Sequence, residues 1–199
     1  MIEKLLAEIG EDKVDNICTT SFEYKKDIWD FFQGFSDKVA VEFGTHKGQT
    51  TRILSHLFKK VYTINLNDSK TAKKLNKDRT NIEYICMDVY SASKEKLPEI
   101  IPETVDMFLI DAGHQYHQVI SDITSAFTLN VSPNCYFVFD DYGLEHYSWE
   151  VRRAVDEVIQ ADYLEVVKNI GHKPGFNFGG YPPRILTKDE GLITKIKNR

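Results

Sequence analysis

The stretch that decides the fold is Val39–Leu54, VAVEFGTHKGQTTRIL. A short β-branched run ends at Gly44, and helical spacing starts at Gln49, with Ile53, Leu54 and Leu57 along one face. The stretch therefore reads as a strand, a tight turn and a helix. Gly44 and Gly48 let the backbone turn sharply and approach a ligand closely. The helix start beyond them offers free N–H groups to an anion. The third glycine of a dinucleotide fingerprint is absent, which argues against a nicotinamide cofactor.

Working outward, strand and helix patterns alternate. Strands are expected at Lys38–Phe43, Val61–Leu66, Asn81–Asp88, Val105–Asp111 and Cys135–Asp140, with last strands at Tyr163–Asn169 and Ile185–Thr187. Helices are expected at Gln49–Lys60, Ser69–Asn76, Ser91–Ile100, Tyr116–Leu129 and Trp149–Gln160. Apolar strands alternating with helices predict an α/β fold. Its form is a Rossmann-like, doubly wound, mostly parallel seven-stranded sheet with an antiparallel last strand and helices on both faces. The expected domain is single: an N-terminal helical cap over 1–36, able to lie over the ligand as a lid, then the core over 37–199. Its aromatics Tyr24, Trp29, Phe31 and Phe32 are expected to pack rather than bind. In such sheets ligands sit at the carboxyl ends of the strands. Here those ends carry Glu42, Asn65, Asp68, Asp88, Asp111, Asp140 and Asp141.

Composition bounds the rest. The chain has 199 residues, 42% hydrophobic and 28% charged, with a net charge of −5. That suits one globular domain and excludes a disordered or collagenous chain. The acidic balance argues against a nucleic-acid binder. No apolar run approaches the roughly 18 residues of a membrane helix. The three cysteines form no C-x-x-C pair, and Cys86 and Cys135 lie in apolar runs, where a buried thiol is expected to stay reduced. A soluble, cytoplasmic protein with a small-molecule partner is the expectation; a homodimer stays open.

VAVEFGTHKGQTTRIL resembles motif I of class I methyltransferases that use S-adenosylmethionine (SAM), and NIEYICMD (Asn81–Asp88) resembles their third strand. FLIDAGHQYHQVISDI (Phe108–Ile123), YFVFDDYG (Tyr136–Gly143) and VRRAVDE (Val151–Glu157) resemble a narrower group, the small-molecule and sugar O-methyltransferases. The resemblance covers about residues 38–160. It implies a SAM cofactor held by Glu42, Gly44, Thr45, Gly48, Asn65, Asp88 and Asp111, and a hydroxyl acceptor with a sugar as the family default. Asn65 stands where the family has an acid for the ribose hydroxyls; an amide accepts from one and donates to the other, and Asp68 is the alternative. The resemblance also implies a divalent metal, Mg²⁺ or another, on Asp111, Asp140 and Asp141. Adjacent residues of one strand face opposite ways, so Asp140 and Asp141 can share an ion only if the strand ends between them. An acid common in relatives is replaced by Gly113, which leaves His114 as the leading general base beside Asp111. His117 is expected to face solvent, and Phe176, Phe178 and Tyr181 to wall the acceptor. Two other readings stay open: a non-catalytic module retaining the fold, and a nucleotide-dependent enzyme of similar topology.

Overall fold

The computed structural model describes residues 2–9, 20–144, 148–179 and 184–197. Strands β1 (Val39–Phe43), β2 (Lys60–Asn65), β3 (Ile82–Cys86), β4 (Val105–Ile110), β5 (Val131–Phe139), β6 (Leu164–Ile170) and β7 (Gly191–Ile196) form one sheet in the order β3-β2-β1-β4-β5-β7-β6. β1 to β5 pair in parallel, and β7 runs antiparallel between β5 and β6. This is the expected doubly wound sheet. Its order reverses beside β1, so β1 and β4 point their carboxyl ends into one crevice.

Alternate residues of each strand feed two cores, as the pleat requires. Val41, Phe43, Phe108 and Ile110 belong to one. They pack with Val119 and Ile123 of α6 (Tyr116–Ala126) and Val151 and Val155 of α7 (Ser148–Gln160). Ala40, Met107 and Leu109 belong to the other. There they meet α1 (Ile2–Glu8), α2 (Phe22–Phe31) and α3 (Gln49–Leu57). Ser21 caps α2, its Oγ accepting from Tyr24 N. Tyr24, Trp29 and Phe32 are buried in this second core. The N-terminal aromatics thus pack, and α2 forms part of a layer of the domain. α4 (Lys70–Leu75) lies beside α3.

Several boundaries differ from the sequence reading. The segment Ser91–Ile100 is a 3₁₀ turn, Ala92–Lys96, followed by the four-residue α5, Leu97–Ile100, with Pro98 in its first turn. β5 starts at Val131, ahead of Pro133, because its first pairing precedes an irregularity opposite Val105 and Met107 that accommodates the proline. The expected last strand at Ile185–Thr187 is not one: Ile185 and Leu186 make isolated bridges to Asn177 and Leu144, and the strand is β7. Cys135 is buried as expected, but Cys86 is exposed because it ends the edge strand β3. Among the described residues no helix is long and apolar enough to cross a membrane.

Candidate active site

The parallel strand ends open into a cavity of ≈ 660 Å³. Its floor is the β1–α3 turn. Glu42, the residue before the end of β1, is 1% exposed. Thr51 Oγ1 and Thr63 Oγ1 each donate to Glu42 Oε2 at 2.5 Å. Thr63 thereby spends its only proton, so Thr45 Oγ1 is the donor in the 2.6 Å contact between the two threonines. Burial pushes the Glu42 carboxyl up to about 7 against the two hydroxyl bonds.

Gly44 follows at φ +100, and a Cβ there would lie 1.9 Å from the Asp111 carbonyl oxygen. The two segments are tied at the same place by Asp111 N donating to Phe43 O at 2.9 Å, while Gly44 N donates to Ile64 O of β2 at 2.9 Å. Gly48, at φ +80, caps α3, and a Cβ would sit 2.5 Å from Ala72 Cβ. Only glycine allows both approaches.

The remaining sequence-selected residues fall around this floor. Asn65 lines the cavity, its Nδ2 donating to Asn67 O at 3.1 Å. Asp68 is exposed, pairs with Lys73 at 2.7 Å and is not among the lining residues. Asp88 lines the adjoining wall and accepts from Tyr90 N at 2.9 Å. Asp111, Asp140 and Asp141 lie at the opposite end with His114.

β5 ends at Phe139, and Asp141 takes a left-handed backbone, φ 57. The chain therefore breaks between the two aspartates, as sharing an ion would demand. What gathers is a different trio. Donor atoms of Asp111, His114 and Asp141 all lie within 4.8 Å of one another. Asp140 is not in that group: it is buried, and its Oδ1 has no hydrogen-bond partner among the described residues. Asp141 Oδ2 instead meets His114 Nε2 at 2.7 Å. This contact raises the His114 pKa, against the opposing effect of burial. Burial holds Asp111 and Asp140 well above the usual carboxylate range, helped by repulsion from Asp141 at Asp111 and from Asp111 and Asp141 at Asp140, with His114 and Lys25 pulling Asp111 back. Lys25 is itself fully buried, its Nζ donating to the Thr20 carbonyl.

Sequence reasoning missed Tyr90, Gln118 and Arg184, which all line the cavity. Arg184 comes from the excursion between β6 and β7, and its charge opposes protonation of His114. Phe176 and Phe178 of that excursion pack on His172 and on each other, with Phe176 stacked at 3.5 Å from the imidazole. They are not among the lining residues, and Tyr181 lies outside the described residues. His117 is exposed, as expected.

These buried acids set a pH dependence of stability. Glu42, Asp111 and Asp140 have folded pKa values above the roughly 4 of the unfolded chain. Between those limits the folded state binds more protons than the unfolded one, so stability falls as pH rises. Thermal melts of the ligand-free protein are expected to decline from about pH 5 through about 7, and Glu42→Gln to flatten that decline. An unchanged slope in the variant would exclude Glu42 as its source.

A buried strand–glycine turn–helix floor, an amide and an acid on one wall, and an acid–imidazole pair on the other describe a methyl-transfer domain. The chain belongs to the methyltransferase domain family, which it matches over residues 41–142. Its fold is shared by cofactor-bound Rv0187 from MTB, with a TM-score of 0.69 and 14% identity over 98% of this chain and 89% of that one. It is likewise shared by the O-methyltransferase TomG from Streptomyces achromogenes, solved in complex with SAM, with a TM-score of 0.64 and 13% identity over 99% of this chain and 89% of that one. An uncharacterised protein of Acanthamoeba polyphaga mimivirus, R132, is 27% identical over 133 residues, 62% of this chain and 60% of R132.

Proposed function

We propose that the chain transfers a methyl group from SAM to a hydroxyl of a small molecule, with a sugar as the default acceptor. The observation that carries this is the approach of Gly44 to the Asp111 backbone at the floor of a cavity that is also lined by His114 and Asp141. A SAM-sized ligand fits a ≈ 660 Å³ cavity whose floor excludes even one methyl group at Gly44. Bound SAM supplies an electrophilic methyl on a cationic sulfur. Glu42, Gly44, Thr45, Gly48 and Asp111 would hold its amino-acid part, Asn65 the ribose and Asp88 the adenine side.

Catalysis then rests on positioning and on one proton. With Nε2–H donated to Asp141, the ring nitrogen that takes the acceptor proton is Nδ1 of His114. In an alternative to this base role, Asp111, His114 and Asp141 would hold a divalent cation: two carboxylates and an imidazole leave positions open, and an imidazole on the ion is then a ligand and not the base. Such an ion, when bound, lowers the pKa of a coordinated hydroxyl. A reducing, cytoplasmic setting fits the two thiols Cys86 and Cys135, which are unbridged.

Calorimetric titration with SAM in Mg²⁺ buffer tests the reading. Micromolar binding is expected. Absence of binding would overturn it in favour of a non-catalytic module. Once an acceptor turns over, equal rates in EDTA and Mg²⁺ would eliminate the metal.

A further inference from the structure

Asp122 is an acid the proposed reaction does not use. It sits in α6 at 0% exposure, and its Oδ1 has no hydrogen-bond partner among the described residues. Its other oxygen, Oδ2, accepts from the Tyr90 hydroxyl at 3.4 Å. The Gly113 backbone lies against the Tyr90 hydroxyl, and its amide lowers the pKa of the Asp122 carboxyl against the effect of burial. Gly113 is enclosed: a Cβ would lie 2.6 Å from Tyr90 Oη and 2.6 Å from Gln118 Cβ. This explains why no acid stands at 113. Gln118 also closes the turn, its Oε1 accepting from Gln115 N at 3.2 Å.

The turn from Asp111 to Gln115 is thus gripped from two sides. His114 reaches Asp141 on the acceptor side. Gly113 rests on Asp122 and Tyr90 on the other. Tyr90, Gly113, His114 and Gln118 line the cavity, whereas Asp122 does not. A buried carboxyl is costly unless its interactions repay the burial. Here they offset it only in part, since burial still pushes the Asp122 carboxyl up to about 7; what the Tyr90 bond does is join the loop after β3 to the helix behind the Gly113 turn. We infer that Asp122 is a positioning residue, a latch that fixes the Gly113–His114 turn and the Tyr90 wall relative to each other. The role in methyl transfer rests on the proposed function, whereas the latch itself can be read without any ligand.

The test combines hydrogen exchange of the ligand-free full chain with calorimetric titration of S-adenosylhomocysteine. Asp122→Ala is expected to speed amide exchange at residues 111–116 and to weaken S-adenosylhomocysteine about tenfold, the ordinary consequence of losing a buried hydrogen-bond hub. Asp122→Asn, which keeps an acceptor oxygen, is expected to restore affinity to within about threefold. Ile123→Ala empties a neighbouring core position of the same helix. It should lower the melting temperature yet leave both readouts near wild type. Equal effects from Ile123→Ala, or none from Asp122→Ala, would overturn the latch. If Asp122→Ala does not fold, Tyr90→Phe decides. Exchange at 111–116 should rise in that variant, and unchanged exchange would overturn the proposal. Failure of the wild type to bind S-adenosylhomocysteine would count against the methyltransferase reading, while the exchange data would still judge the latch.

Discussion

Gly44→Ala is expected to remove detectable SAM binding and to lower the melting temperature by roughly 10 °C. The new Cβ would stand 1.9 Å from Asp111 O and 2.6 Å from Asp111 C. Both are backbone atoms, held by the hydrogen bond from Asp111 N to Phe43 O. No rotamer relieves such a clash, so β1 and β4 must part at their ends. Overpacking and the strain of φ +100 together cost about 3 kcal/mol. At this chain length that is roughly 10 °C. Gly34→Ala isolates the backbone share: φ there is +91 with nothing within 4 Å. It should cost about 1 kcal/mol and leave SAM binding intact. Equal losses in the two variants, read by calorimetry and thermal melts, would show that the close approach is unimportant.

His114→Ala is expected to lower methyl transfer by roughly 10²–10⁴-fold, the usual contribution of a positioned general base. SAM affinity should stay within about threefold, because the imidazole sits at the acceptor end. The pH profile supplies the sign. Hydrogen bonding to Asp141 raises the His114 pKa. The neutral, proton-accepting ring therefore forms only above that raised value, and the rate should climb with pH through it. Asp141→Asn removes the main cause and should move the climb to lower pH. The pair also stabilises the fold below about pH 6.5, and that contribution is lost as pH rises through the folded value. Release of S-adenosylhomocysteine with any hydroxyl acceptor the wild type accepts is the measurement. A profile unmoved by Asp141→Asn would reject His114 as the base.

The strand ends were legible because apolar runs stop at an acid or amide, and a parallel sheet gathers those stops along one edge. Gly44 and Gly48 were legible from their spacing. The partner of Asp111 and Asp141 was not. Spacing along the chain does not report the left-handed turn at Asp141, which joins that side chain to His114 while Asp140 stays buried behind it. β7 was hidden because its run, GLITKI, includes a lysine and follows a decoy of equal apolarity, Ile185–Leu186. Arg184 and Asp122 gain their places only from tertiary packing. Arg184 comes from a long excursion with no local pattern; Asp122 lies within the stretch Phe108–Ile123 quoted above, which does not report its contact with Tyr90.

The position of β7 between β5 and β6 constrains the order in which the sheet can assemble. β6 has no partner other than β7 in the sheet, so it cannot dock until residues 191–196 have been synthesised. The same segment brings Gly191 against the Tyr24 ring, where a Cβ would come within 2.2 Å of Cε2. It also brings Glu190 onto Ser21, whose N and Oγ donate to its carboxylate at 2.8 and 2.5 Å across 169 residues. Such distant pairings close late, since a long loop must be ordered first. A chain still lacking that segment would leave α2 without these contacts. The pocket wall formed by Asp140 and Asp141 gains its backing only when the end of the described chain turns back to meet its beginning.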